Sequence, residues 1–334
     1  MEFDGNLNTR IINNSDTLTL DVVPGNYCNY NCWYCWPDAH ANSIKLPPLN
    51  ETAKNNLEYI IKKLQGNKKK FVVKFSGGEP TVHVELENYC RYFKKKLKAK
   101  IEIITNGSRT IRWWKRNLDL FDAISVSVHP LDADVDHLIE LGNLFKENNK
   151  MYNMRVSIVP NEIELVGEVA KKLSSNGIRV NPKYLDLTFV GIDSNEQIKT
   201  KEYSSSNYKV EGVDPTWFHD GQGAWIPLVP EDITIYSKSS NKENLKESWI
   251  MTSLEKFNGT FDGYLCYAPS EYIFLKPDGV LGLTCHNNIQ NKIKVMNIFE
   301  DDYTTTFLNP NVLCTTGYCK CEGLWKVSKI HVDH

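Results

Sequence analysis

Six short runs of β-branched and apolar residues recur through the first half of the chain, at 18–23 (LTLDVV), 71–76 (FVVKFS), 101–105 (IEIIT), 123–128 (AISVSV), 154–159 (MRVSIV) and 178–187 (IRVNPKYLDL). Between them lie stretches with helical spacing at 50–66, 81–97, 132–149 and 161–177, and a shorter piece, RTIRWWKRNLDLF, at 109–121. Asn50 stands where an N-cap is expected, Gly66 and Gly177 where helices stop, and Asp132 and Asp134 open the third long helix with negative charge. Strands alternating with helices predict parallel βαβ units with right-handed crossovers. The fold class is therefore α/β, a partial (β/α)6 TIM-like barrel over residues 16–190, with ligands at the C-terminal ends of the strands.

From 191 to 262 this pattern lapses into a polar, serine-rich stretch, GIDSNEQIKTKEYSSSNYKVEG, with strand character at DITIYS. It reads as an irregular insertion facing the substrate. From 263 to 334 the chain reads as a small cysteine-rich extension. It opens with a hairpin, two apolar runs either side of the turn signal KPDG, and ends in a cysteine group.

Composition narrows the class. With 41% apolar and 24% charged residues, 334 residues can build a deep core. The net charge of −2 gives no bulk attraction to nucleic acid or anionic lipid, so neither is expected as a partner. The basic run YFKKKLKAK (92–100) reads as the solvated face of an amphipathic helix. The N-terminus lacks the basic and apolar regions of a signal peptide, and no run of apolar residues is long enough for a membrane span. A cytoplasmic location is expected. In a reducing cytosol, nine cysteines in two groups read as metal ligands and not as disulfides. Cys90 stands alone between the groups, with apolar neighbours at helical spacing, and reads as core.

The first group, Cys28, Cys32 and Cys35 in NYCNYNCWYCWP, directly follows the first strand. Structural zinc wants four ligands, and His40 is the only local candidate for the fourth. Three thiolates on an iron–sulfur cubane instead leave one iron without a protein donor. The C-x3-C-x2-C spacing, with Tyr34 before the last cysteine, resembles the radical S-adenosylmethionine (SAM) superfamily. Further landmarks of that family follow in order: SGGEP (76–80) at the end of the second strand, TNG (105–107) at the end of the third and SVSVH (125–129) at the end of the fourth.

The resemblance implies a [4Fe–4S] cluster held by Cys28, Cys32 and Cys35, with SAM chelating the open iron. It implies SAM contacts from Tyr34, Gly77, Gly78, Glu79 (to the methionine amine), Thr105, Asn106, Ser127 and Arg155. One electron from an external reductant would cleave SAM to a 5′-deoxyadenosyl radical, which takes hydrogen from a substrate C–H bond. His129, Lys183 and Tyr184, at strand ends around the expected mouth, are the catalytic candidates.

The second group, Cys266, Cys285, Cys314, Cys319 and Cys321, brackets the hairpin and closes near the C-terminus. This order resembles the Twitch and SPASM extensions of radical SAM enzymes, which implies one auxiliary [4Fe–4S] cluster. The expected ligands are Cys266, Cys285, Cys319 and Cys321, with Cys314 the spare fifth thiol. Structural zinc is the competing reading for this group. The same resemblance implies an oxidoreductase or peptide-modifying enzyme acting on a peptide or protein residue by oxidation, epimerisation or crosslinking. The alternatives are the same chemistry on a small molecule, a sugar alcohol or nucleotide, and a non-enzymatic iron–sulfur or zinc protein.

Overall fold

The computed structural model describes residues 10–13, 16–35, 41–66, 68, 70–159, 162–185, 233–236, 263–282, 294–302, 311–314 and 327–331. Six parallel strands form the scaffold: β2 (Thr17–Val22), β3 (Lys70–Phe75), β4 (Lys100–Thr105), β5 (Ala123–Val128), β6 (Met151–Ile158) and β7 (Val180–Tyr184). Helices α1 (Glu51–Gln65), α2 (Leu86–Leu97), α3 (Ile111–Asn117), α4 (Val135–Glu147) and α5 (Ile163–Ser175) make the crossovers. Asn50 caps α1 by accepting from the Ala53 N–H at 2.8 Å. Helix α2 begins at Leu86, not at 81. Pro80–Val82 instead form a 3-10 turn whose start is capped by Glu79, because that carboxylate accepts from the Thr81 N–H.

Each strand alternates. Leu18, Leu20 and Val22, Phe71, Val73 and Phe75, and Ile124, Val126 and Val128 are buried in the core. Trp113 and Trp114 are buried there, Trp114 against Phe121 and Phe145, and Cys90 is buried as well, a core residue as expected. The intervening residues point the other way, because successive side chains on a strand face opposite sides. Most are polar: Thr19 and Asp21, Lys74, Ser125 and Ser127, Asn153, Arg155 and Ser157, Asn181 and Lys183, with Val72 and Ile104 apolar. A parallel sheet covered by apolar layers on both faces would read as unbroken hydrophobic runs. This one has a largely polar concave face.

The sheet does not stop at β2. β9 (Tyr264–Cys266) leads through the short helix α6 (Ala268–Glu271) into β10 (Tyr272–Leu275), which pairs parallel to β2 on its outer edge. The hairpin partner β11 (Val280–Gly282) and β12 (Lys294–Asn297) follow antiparallel. The Lys276–Gly279 turn closes the hairpin, with the Lys276 N–H bonded to the Val280 carbonyl at 2.9 Å. Among the described residues the sheet has nine strands and is open, ordered β12-β11-β10-β2-β3-β4-β5-β6-β7. Asp21 ties this seam together, accepting from Tyr272 Oη at 2.5 Å and Ser76 Oγ at 2.8 Å, with Lys74 Nζ at 3.7 Å.

A second sheet is antiparallel and built of short strands, ordered β13-β9-β14-β1-β8. Its members besides β9 are β1 (Arg10–Asn13), β8 (Ile233–Tyr236), β13 (Val312–Leu313) and β14 (Lys329–His331). β8 is the strand foreseen at DITIYS. The remainder of 191–262, together with His40, Cys285, Cys319 and Cys321, lies outside the described residues.

Candidate functional site

The cysteine loop leaves β2 at the C-terminal end of the sheet and is held from two sides. The Ser76 N–H donates to the Val22 carbonyl (3.0 Å), the Gly78 N–H to Gly25 (3.3 Å) and the Glu79 N–H to Tyr27 (2.6 Å), so the SGGEP end of β3 runs along the loop. Gly77 is at φ 112°, and a Cβ there would come within 2.7 Å of Val23 Cγ1, so only glycine permits this approach. On the other side Asn26 Oδ1 accepts from the Ser43 and Ile44 N–H groups, both at 2.9 Å, and Asn42 Oδ1 accepts from the Cys28 N–H at 3.2 Å.

Glu79, 2% exposed, is the hub between β3 and β4. Its carboxylate accepts from Thr81 N–H and Oγ1, from Thr105 Oγ1 at 2.7 Å and from the Asn106 N–H at 2.5 Å. Burial raises its pKa, and the hydrogen bonds from Asn106, Thr81 and Thr105 pull the other way. The Asn106 amide donates to Asn29 Oδ1 at 3.0 Å, and Asn29 Nδ2 donates to Ser108 Oγ at 2.9 Å. Thr105, Asn106 and Glu79 thus brace the loop that carries Cys28. Asn29 completes this brace, and its sequence signal is only its place between Cys28 and Cys32.

Cys28 Sγ accepts from the Tyr30 N–H at 3.4 Å. Cys32 donates to Asp132 Oδ2 at 3.2 Å and lies 3.5 Å from His129 Nδ1. Tyr34 Oη sits 2.8 Å from that same nitrogen, its ring stacked on the imidazole at 5.8 Å. Burial pushes the Cys28 thiol up, and burial followed by the Asp132 carboxylate pushes Cys32 to about 12. The Cys35 charge raises both a little further. His129, expected at the substrate mouth, is instead packed behind the cysteine loop. Burial, then Lys183, brings its pKa down to about 3, leaving the imidazole neutral.

Along the concave face, Lys183 Nζ donates to Ser127 Oγ at 3.2 Å, and Arg155 is the β6 neighbour of Ser127 in register. Burial, then the Arg155 charge, lowers Lys183 to about 8. Tyr184 is the last residue of β7. Asn153 Oδ1 and Ser157 Oγ, buried on this face, have no hydrogen-bond partner among the described residues. Sequence reading passed over both, although the alternation along β6 puts them beside Arg155. Orphaned buried acceptors and donors here suit a polar ligand lying across the strand ends.

Among the described residues, no three His, Cys, Asp or Glu side chains converge closely enough to hold one metal ion. Cys28, Cys32 and Cys35 lie within eight residues on one loop at the C-terminal end of β2, three thiol donors, the number that leaves one iron of a cubane open. In the family model for the radical SAM superfamily, the match to this chain runs over residues 22–200, more than half its length. The chain belongs to the radical SAM superfamily. Its fold is the α/β partial barrel expected, and the family implies a [4Fe–4S] cluster and SAM as cofactors.

Among curated relatives, a GTP 3′,8-cyclase of Psychromonas ingrahamii is 28% identical over 51% of this chain and 50% of its own. The radical SAM cyclopropyl synthase TigE of Paramaledivibacter caminithermalis is 30% identical over 30% of this chain and 24% of its own. The chain spans half or less of the length of the curated relatives it matches. A solved structure titled native anSMEcpe with bound AdoMet aligns over 85% of this chain and 79% of that one, at 16% identity and a TM-score of 0.48. No described helix of this radical SAM protein is long and apolar enough to cross a membrane.

The second cysteine group is partly described. Cys266, on β9, lies opposite Val312 of β13, and the Cys314 N–H donates to the Tyr264 carbonyl at 2.7 Å. Tyr264 and Cys266 share a face of β9, so Cys314 faces the same side as Cys266, diagonally across adjacent strands. Such diagonal neighbours stand about 7 Å apart. Both thiols are buried, and neither is in a disulfide.

Proposed function

We propose that this protein is a radical SAM enzyme whose 5′-deoxyadenosyl radical abstracts hydrogen from a peptide or protein residue, ending in oxidation, epimerisation or a crosslink. The observation that carries the reading is the three-thiol loop at the β2 end, laid along SGGEP and braced through Asn29 and Asn106. Bound at Cys28, Cys32 and Cys35, the cluster would supply one electron to the SAM sulfonium.

The chain's own residues bind and orient. Gly77 and Gly78 offer close backbone approach, and Glu79 fixes the β3 and β4 ends. Ser127 and Arg155, with the unpaired Asn153 and Ser157, offer polar contacts to SAM along the concave face. Tyr34 and His129 back the loop and exclude water from it, which strengthens the electrostatics inside. Lys183, held near its titration point, is placed to hold or pass a proton at Nζ beside Ser127, and Tyr184 borders it along the chain. The 191–262 segment would shape the substrate side.

Cys266 and Cys314, sharing a face of the second sheet, support an auxiliary [4Fe–4S] cluster completed from Cys285, Cys319 and Cys321. Cys314 then enters the ligand set and one of the other three becomes the spare. A Twitch-like extension over 263–334 carries that cluster, and a cytoplasmic location suits both. The GTP 3′,8-cyclase relatives favour a second reading, the same chemistry on a nucleotide. Anaerobic incubation of reconstituted enzyme with SAM and dithionite separates them. The peptide reading expects a defined mass change in a peptide pool. A shifted nucleotide in a metabolite pool, with the peptides untouched, favours the second.

A further inference from the structure

The basic run set aside above as a solvated helix face belongs to something larger. Between residues 91 and 116 the chain carries ten Lys and Arg against a single acidic residue, Glu102, while the whole protein is at −2. The positive charge is therefore concentrated in α2, β4 and α3, and the remainder is acidic. Part of it lines a cleft of about 480 Å³ formed by Asn29, Val82, Ser108, Thr110, Trp113 and the arginines 109, 112 and 116.

Arg109 stacks its guanidinium over Trp113 at 5.5 Å, and its buried Nε has no hydrogen-bond partner among the described residues. Arg112 is exposed. Arg116 pairs with Glu87 at 2.9 Å, and the same carboxylate lies 4.0 Å from Arg91, which carries the basic surface from α3 onto α2.

The position of the cleft matters as much as its charge. Asn29, the residue after Cys28, is one of its lining residues and donates to another, Ser108, at 2.9 Å. Reductive cleavage of SAM needs an electron that neither SAM nor a C–H substrate supplies. We infer that the Arg109–Arg112–Arg116 cleft is the docking surface for an acidic one-electron carrier protein, placed where its redox centre comes against the outer side of the Cys28 loop. This rests on the radical SAM reading. The carrier loses one electron, the cluster gains it, and no bond or proton changes in that transfer. Opposite charge steers such encounters and is screened within about 10 Å at moderate salt.

The test uses reconstituted holoenzyme and a purified acidic flavodoxin, with dithionite as a small-molecule reductant. The readout is 5′-deoxyadenosine, which forms without any assigned substrate. In an Arg112→Glu/Arg116→Glu variant, flavodoxin-driven cleavage should fall by about tenfold or more at low salt, as close charge pairs reversed at an interface do. Flavodoxin binding should weaken in parallel, and dithionite-driven cleavage should match wild type. Wild-type cleavage with flavodoxin should itself decline steeply with added salt. Unchanged flavodoxin-driven cleavage in the variant overturns the proposal and leaves the cleft to an acidic peptide. An equal loss with both reductants also overturns it and assigns the arginines to holding the cofactor. If wild-type enzyme with an intact cluster leaves SAM whole under dithionite, it is the radical SAM reading that fails.

Discussion

The two cysteine groups occupy opposite mechanical settings. Cys28, Cys32 and Cys35 emerge from a six-residue parallel strand in the middle of a nine-stranded sheet. Their loop is tied by backbone bonds to β3, by Asn26 to 43–44 and by Asn29 to the β4 end. Cys266 ends a strand of three residues and Cys314 directly follows one of two, in a sheet with no strand longer than four among the described residues. The first site is built by the fold. On the proposed reading, the second, built of such short strands, draws much of its stability from the cluster its thiols would bind.

Removing the metal should break the symmetry between them, and this is the largest effect expected. After anaerobic chelation of iron, amide exchange at 264–266, 312–314 and 329–331 should speed up by orders of magnitude, toward local unfolding. Exchange at 100–105 and 123–128 should change little. A Cys314→Ala variant should reproduce the selective loosening and lower bound iron by about half, the share of one of two equal clusters, with the metal's folding energy lost there alone. Equal loosening of both regions would dissolve the contrast.

Next in size is the seam where β10 joins the barrel. Asp21 answers the buried Lys74 charge and accepts from Tyr272 and Ser76. Asp21→Ala should cost about 3–5 kcal/mol in denaturant unfolding, because a buried cation loses its carboxylate. Tyr272→Phe removes one hydrogen bond and should cost about 1–2 kcal/mol. A loss below 1 kcal/mol in Asp21→Ala would mean that the seam is not structural.

The smallest effect concerns the turn after SGGEP. His83 Nδ1 accepts from the Glu85 N–H and Nε2 meets the Leu46 carbonyl, so the buried ring is neutral. Burial pushes its pKa below the ordinary value. The unfolded chain takes up a proton as pH falls below about 6.5 while the native ring resists, so stability drops on acidification and recovers on return to pH 7.5. His83→Gln should flatten that part of the pH dependence of the urea midpoint. An unchanged slope would place the titration elsewhere.

The same contrast governs what could be read from the sequence. The barrel strands were legible because most are rich in β-branched residues and each from β2 to β6 is followed by a helix with its own periodicity. The caps at Asn50 and Gly66 were legible because they are local chemistry. The second sheet was not, apart from DITIYS, because strands of two to four residues from distant segments leave no period to detect. Neither was the pairing of β10 with β2, a tertiary choice, nor the internal role of Thr105 and Asn106, whose hydrogen bonds depend on where Asn29 arrives. Asn153 and Ser157 were within reach, since polar residues alternating with Met154, Val156 and Ile158 mark a polar, ligand-facing side of the strand.

The central claim is that the loop at the end of β2 holds an iron cubane by three thiolates and leaves one iron for SAM. Mössbauer spectroscopy of anaerobically reconstituted Cys266→Ala/Cys314→Ala protein, with the second cluster removed, addresses it most directly. The account predicts a [4Fe–4S] spectrum in which one iron shifts when SAM is added, and no such cluster once Cys28, Cys32 or Cys35 is also replaced by Ala. A spectrum indifferent to SAM, or bound zinc in place of iron, would contradict it.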